Sequence, residues 1–263
     1  MGRNRESAVA GMFYPDQPAA LQQQVQDHLR QAKPAHHLPA AIIAPHAGYI
    51  YSGPVAGSAY AAVIPRRSEI RRVLLLGPAH REYVKGVAAS TAAAFNTPLG
   101  EVPLDQQTIR SAVLEFDFVE FDDRAHELEH SIEVQLPFLQ SILDEFTLVP
   151  LAVGGARPEQ LDLLLEKFWR DQSTLVVISS DLSHYHDYSS AQRLDEYTSQ
   201  KIEALDPAGL TGENACGQRP ISGLLQYAAR HGMHCEILDV RNSGDTAGGR
   251  DRVVGYGAYL FYH

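Results

Sequence analysis

Four short aliphatic runs punctuate the chain at positions 41–44, 73–76, 148–153 and 175–179, each closed by Gly, Pro or Ser. They are apolar at nearly every position rather than at alternate ones, the pattern of strands buried on both faces. Between them lie segments of helical period at 18–32, 53–63, 131–143, 158–169 and 191–205. Strands alternating with helices need crossover connections, which implies a largely parallel central sheet flanked by helices. A helix-period stretch at 221–230, a strand at 234–238 and a terminal strand over 253–262, where small and aromatic residues alternate, complete the expected elements. No Pro/Gly/Ser-rich linker and no charged block divides the sequence, so residues 1–263 are expected to form one α/β domain.

Composition narrows the partners. A net charge of −10 leaves no broad cationic face for phosphates or anionic lipid, so neither nucleic acid nor membrane is an expected partner. The apolar runs are strand-length and far short of the roughly 20 residues of a membrane span. The first residues, Met1 to Glu6, lack the apolar stretch of a signal peptide, and a cytoplasmic location is expected. Two cysteines, Cys216 and Cys235, are too few for a disulfide scaffold in a chain of this length, so Cys216 reads as a free thiol.

The chemistry-bearing residues are grouped by position. Pro45-His46-Ala47-Gly48-Tyr49, Gly77-Pro78-Ala79-His80 and Ser180-Asp181-Leu182-Ser183-His184 each follow a predicted buried strand. In α/β sheets, loops at the carboxyl ends of strands converge over a rigid platform, and ligands bind there. Neutral imidazole is the commonest metal ligand, so a shared metal-type site is the expectation. Cys216 immediately precedes a helix-period segment, where exposed N–H groups favour a thiolate. Cys235 sits in a strand pattern that core packing explains.

Other motifs point elsewhere. His126-Glu127-Leu128-Glu129-His130 matches H-E-x-x-H, the zinc hydrolase signature in which two histidines share one helix face, but its flanks are polar. Gly255-Tyr256-Gly257 is no dinucleotide fingerprint, because Leu260 stands at the third glycine position. Neither a G-x-S-x-G elbow nor a G-x-x-x-x-G-K-[ST] loop occurs.

Pro45-His46-Ala47-Gly48-Tyr49, Gly77-Pro78-x-His80, Glu129-His130-Ser131-Ile132-Glu133, Ser179-Ser180-Asp181-x-x-His184 and Cys216-Gly217-x-x-Pro220-Ile221 together resemble the Memo family in order and spacing. Segments 5–14 and Thr97-Pro98-Leu99 extend the resemblance over nearly the whole chain. It implies a fold similar to the LigB-like class III extradiol dioxygenases. Carried over by motif, His46, His80 and Cys216 are the implied metal ligands, Asp181 and His184 catalytic groups in the same cavity, and His130 a group behind the ligands. A thiolate where the dioxygenases place a carboxylate favours copper, zinc or iron over hard cations and counts against ring cleavage. Microbial relatives are grouped with AMMECR-family and radical-SAM proteins in the AmmeMemoRadiSam system, which implies such partners.

Two functional classes follow. One is a metal-dependent oxidoreductase using iron or copper, with zinc as a further option, in which His184 moves protons and Asp181 orients it or binds substrate. The other is a module that binds a small molecule, a peptide or a protein in the same crevice without catalysis, with Tyr49, Tyr51, Arg81 and Arg219 as lining residues.

Overall fold

The computed structural model describes residues 3–263. Its strands are β1 (Ala41–Ala44), β2 (Arg72–Pro78), β3 (Val87–Ala89), β4 (Ala94–Thr97), β5 (Gly100–Pro103), β6 (Val119–Phe121), β7 (Thr147–Val153), β8 (Thr174–Ser179), β9 (His184–His186), β10 (His234–Asn242) and β11 (Val253–Tyr262). Nine of them form one sheet in the order β10-β11-β1-β8-β2-β7-β3-β6, with β9 added against β11, while β4 and β5 make a separate hairpin. The four runs singled out by hydropathy are the adjacent strands β1, β8, β2 and β7, and they pair in parallel. Every residue of β1 and β8 is buried, as are all but the first of β2 and β7. Two-sided coverage explains why these strands read as continuous apolar runs.

Both margins of the sheet are mixed. On one side β11 runs antiparallel to β1, and β10 and β9 run antiparallel to β11. On the other, β3 is antiparallel to β7 and β6 is parallel to β3.

Helices lie where the period placed them, with shifted ends. They include Pro18–Gln31, Tyr49–Ala61, Pro158–Phe168, Tyr188–Glu203 and Gln218–Arg230. The expected helix at 131–143 is instead two short ones, His130–Glu133 and Leu136–Ile142. Pro137 has no N–H to donate to the Glu133 carbonyl one turn back, and the helix is interrupted at that point.

The helices pack closely enough to need glycine. A Cβ on Gly57 would stand 2.6 Å from the His28 carbonyl oxygen, so the helices Pro18–Gln31 and Tyr49–Ala61 touch backbone to backbone at that point. Phe138 fills the space between, stacked on Tyr60 with ring centroids 5.0 Å apart. No helix among the described residues is long and apolar enough to cross a membrane.

Candidate metal centre

Because β1, β8 and β2 are neighbours in the sheet, the residues that follow them emerge side by side. His46, Asp181 and His80 each lie two positions beyond the last residue of their strand. His130 arrives from a different direction, at the start of the helix His130–Glu133. That helix is laid against β2 by Ser131, whose Oγ donates to the Pro78 carbonyl at 2.8 Å. A Cβ on Gly77 would sit 2.7 Å from the same Oγ, so the approach depends on glycine at 77.

His46, His80 and His130 thereby converge. Their ring centroids are 5.3, 5.3 and 4.8 Å apart, and one ligand atom from each lies within 4.8 Å of the others.

The hydrogen-bond partners determine which ring nitrogens are free. Tyr60 donates its hydroxyl to Gln135 Oε1 at 2.8 Å, which makes Gln135 Nε2 the donor to Ser179 Oγ at 2.7 Å. Ser179 in turn donates its only hydroxyl proton to the Ser131 carbonyl at 2.5 Å. The Ser179 oxygen can therefore only accept from His46 Nδ1, 2.8 Å away, and His46 carries its proton on Nδ1. Its Nε2 lone pair points toward the Cys216 Sγ at 3.3 Å.

His80 is arranged in the same sense. Its Nδ1 lies 3.0 Å from Glu129 Oε1, and a carboxylate that accepts there selects, for the neutral ring, the tautomer with its proton on Nδ1 and its lone pair on Nε2. His130 Nδ1 stands 3.2 Å from the same oxygen, without the alignment of a hydrogen bond. Burial alone would raise the Glu129 carboxyl, but the His130 and His80 imidazoles hold it well below the usual carboxylate range. Desolvation and the neighbouring His80 and His130 lower His46 well below an ordinary histidine, so it is neutral at physiological pH. Neutral imidazoles with buried outer partners and free Nε2 lone pairs are what metal ligation requires. These donors fit a soft or borderline divalent ion or copper(I).

Cys216 precedes the helix Gln218–Arg230, anchored by the Gly217 N–H donating to Ser180 Oγ at 2.9 Å. Its Sγ lies within 3.8 Å of Ser180 Oγ and 3.7 Å of the Asp181 carbonyl oxygen besides His46. Desolvation, helped by the Asp181 charge, pushes this thiol up to about 12. The helix N-terminus does not by itself make it a thiolate, because loss of hydration outweighs the dipole; a bound cation would supply the missing stabilisation.

Asp181 is buried, and its Oδ1 accepts the His46 backbone N–H at 2.8 Å. Burial raises its carboxyl above the ordinary aspartate value. His184 lies on β9, half-buried, three positions beyond Asp181. The next residue, Tyr185, has φ +62° and is 64% exposed, an uncommon conformation that turns its ring into solvent under the Arg252 guanidinium.

The H-E-x-x-H segment does not form a hydrolase helix. Residues 124–127 make one turn, Glu129 is extended at φ −80° and ψ 127°, and His130 begins a new helix. His126 is 1% exposed, 3.0 Å from the Ala88 carbonyl, and burial lowers it to about 4. It is absent from the three-histidine cluster.

Of the residues considered for a binding crevice, Tyr49 is a core residue bonded through its hydroxyl to the Val134 carbonyl at 2.7 Å. Arg219 reaches the Ala156 carbonyl at 3.3 Å, Tyr51 is 37% exposed, and Arg81 is exposed.

Sequence reasoning did not assign roles to Glu129, Ser179, Gln135, Arg5 or Glu133. Arg5 donates to the carbonyls of His126 and Glu129, each at 2.8 Å, and pairs with the fully buried Glu133. Glu133 also accepts the Tyr14 hydroxyl and the Ala8 and Val9 N–H groups. This knot ties the N-terminal segment to the loop carrying Glu129 and His130. Its parts are far apart in sequence, and only the segments containing them could be singled out beforehand.

The family of Memo-like proteins matches residues 5–260. The chain belongs to the Memo family. A MEMO1 family protein of Saccharolobus solfataricus is 35% identical, the alignment covering 98% of this chain and 99% of the relative. A MEMO1 family protein of Saccharolobus islandicus has the same identity and coverage, and one of Metallosphaera sedula is 34% identical with equal coverage. The similarity to these Memo family proteins thus runs through every segment that builds the site.

Proposed function

We propose that this Memo family protein is a metal-dependent oxidoreductase in which His46, His80 and Cys216 hold iron or copper, with zinc as the alternative ion. The observation that carries the reading is the contact of His46 Nε2 with Cys216 Sγ at 3.3 Å, beside a second imidazole whose Nε2 is also left free. Nitrogen and sulfur ligands of one tetrahedral ion are about 3.6 Å apart, from bonds of roughly 2.0–2.1 and 2.3 Å. The His46–Cys216 pair is therefore already near ligand spacing. His130, stacked on His80 with ring centroids 4.8 Å apart and its Nδ1 3.2 Å from Glu129 Oε1, completes the histidine cluster beside this pair.

A bound redox metal would supply electron transfer and Lewis acidity. The chain's own residues supply the rest. Asp181, its carboxyl raised by burial, can hold a proton beside the ligands, and His184 can pass protons between the site and solvent. Thiolate in place of carboxylate argues against catechol ring cleavage despite the proposed kinship with LigB-like enzymes. AMMECR-family and radical-SAM partners are proposed on the family resemblance.

Elemental analysis of anaerobically purified protein tests the reading. About one iron or copper per chain is expected, lost in His46→Ala and Cys216→Ser and kept in His126→Ala, with oxygen- or thiol-dependent turnover falling in step. Retention in Cys216→Ser, or loss in His126→Ala alone, overturns it. Binding of a peptide or protein without catalysis is the second reading, favoured by the exposed rings of Tyr51 and Tyr185. It would leave partner affinity intact in the metal-free variants.

A further inference from the structure

Glu129 is 1% exposed, and its carboxylate lies directly behind two of the three clustered histidines. Oε1 accepts the Ser131 N–H at 2.8 Å, faces His80 Nδ1 at 3.0 Å and stands 3.2 Å from His130 Nδ1. Oε2 accepts the His80 backbone N–H at 2.5 Å. Every group that faces this carboxylate is therefore a donor or an imidazole nitrogen. Its backbone is pinned as well, since the Glu129 carbonyl accepts Arg5 Nη2 at 2.8 Å. A side chain held at both ends has little freedom to follow the histidines, so the histidines must follow it.

We propose that Glu129 is the positioning residue of the metal centre: it holds His80 as the Nδ1–H tautomer and places a fixed negative charge behind the ion. The inference rests on the reading of His46, His80 and Cys216 as ligands, but its first part concerns the protein without metal. A carboxylate behind a ligating imidazole raises its basicity and fixes which nitrogen faces the ion, and removing such a partner typically weakens metal binding by about 10–100-fold. The charge also matters in kind. One thiolate and one carboxylate together balance a divalent ion, so loss of Glu129 is expected to weaken a divalent ion more than copper(I).

Glu129→Gln is the discriminating substitution, because an amide of the same size can accept only through one atom. Its NH2 group would meet the His80 backbone N–H at one end, or the Ser131 N–H and the His80 Nδ1–H at the other, and the second orientation reverses the His80 tautomer, so the single preference that the carboxylate imposes is lost.

The experiment has two arms. In the metal-free protein, nitrogen-15 NMR of the neutral imidazole rings reports the tautomers directly: wild type should show His80 protonated on Nδ1, and Glu129→Gln should bring in the Nε2–H form while His46, held by Ser179, stays unchanged. With Zn2+ in competition against a chromophoric chelator, the same variant should bind about 10–100-fold more weakly than wild type, and Cu(I) affinity should fall by less. Nε2–H at His80 in wild type overturns the proposal without any variant being made, which keeps the test valid should Glu129→Gln not fold. An unchanged tautomer together with Zn2+ affinity within twofold of wild type also overturns it. If wild type binds neither ion, the metal reading fails, and the NMR arm still decides whether Glu129 sets the tautomer.

Discussion

Asp195 offers a quantitative test of how the loop carrying Asp181 and His184 is held. It is 2% exposed, and its Oδ1 accepts the Ser183 N–H at 3.0 Å from within the helix Tyr188–Glu203. A Cβ on Gly255 would lie 2.0 Å from its Oδ2, so the carboxylate is pressed against β11. Burial raises its pKa from 3.8 to about 6, the Ser183 N–H offsetting only part of the effect. A carboxyl group raised on folding binds its proton more tightly in the native state. The resulting penalty is absent below about pH 3.8, grows as pH rises, and is complete above about 6. With about 1.4 kcal/mol per unit, a shift of roughly two units corresponds to ~3 kcal/mol. Asp195→Asn keeps an oxygen for Ser183 and removes the titration. Unsatisfied amide protons can cost about 1–3 kcal/mol at any pH, so the decisive quantity is the difference between variant and wild type as a function of pH. Urea denaturation at pH 4, 5, 6 and 7.5 should show the variant gaining about 2.4 kcal/mol relative to wild type across that range. A difference that stays constant within about 0.5 kcal/mol would refute the assignment of a buried, raised carboxyl at 195.

Other outcomes follow from the same structure. Arg5→Ala leaves the Glu133 carboxylate buried without its counter-charge, and should lower stability by about 3–5 kcal/mol in denaturant titration. His28, His46 and His126 all have folded pKa values below the free histidine value of 6.5, chiefly through desolvation. Their neutral burial is stabilising above about pH 6.5 and is lost as the unfolded chain takes up protons on acidification, so unfolding midpoints should fall steeply between pH 6.5 and 4. Gly57→Ala forces the helices Pro18–Gln31 and Tyr49–Ala61 apart and should cost about 1–3 kcal/mol, whereas Gly212→Ala, where an added Cβ meets open space, should be close to neutral.

The parallel centre of the sheet was legible because β1, β2, β7 and β8 are buried on both faces and written as unbroken apolar runs. The margins were not. β3 and β6 are three residues each, and β9 is His184-Tyr185-His186, whose polar sequence carries no strand signal and whose pairing is imposed by β11. The period at 131–143 was real but hid a break, since Pro137 interrupts bonding while the apolar face continues through Phe138 and Leu139. Part of the site was legible for a topological reason: residues just beyond adjacent parallel strands must be neighbours, and His46, His80 and Asp181 obey that rule. Glu129 escaped because its neighbours His80 and Arg5 are 49 and 124 positions away. The H-E-x-x-H match drew attention to the correct segment through the wrong geometry: His130 and Glu129 belong to the centre, and His126 is a core residue on a separate turn.

The most direct test of the proposed centre is X-ray absorption at the metal K-edge, on wild type and Cys216→Ser loaded under identical anaerobic conditions. The account predicts imidazole nitrogens at roughly 2.0–2.1 Å and one sulfur at roughly 2.3 Å in wild type, with the sulfur shell gone in the variant. A first shell of nitrogen and oxygen only, the same in both proteins, would contradict it and leave the three histidines as the ligand set.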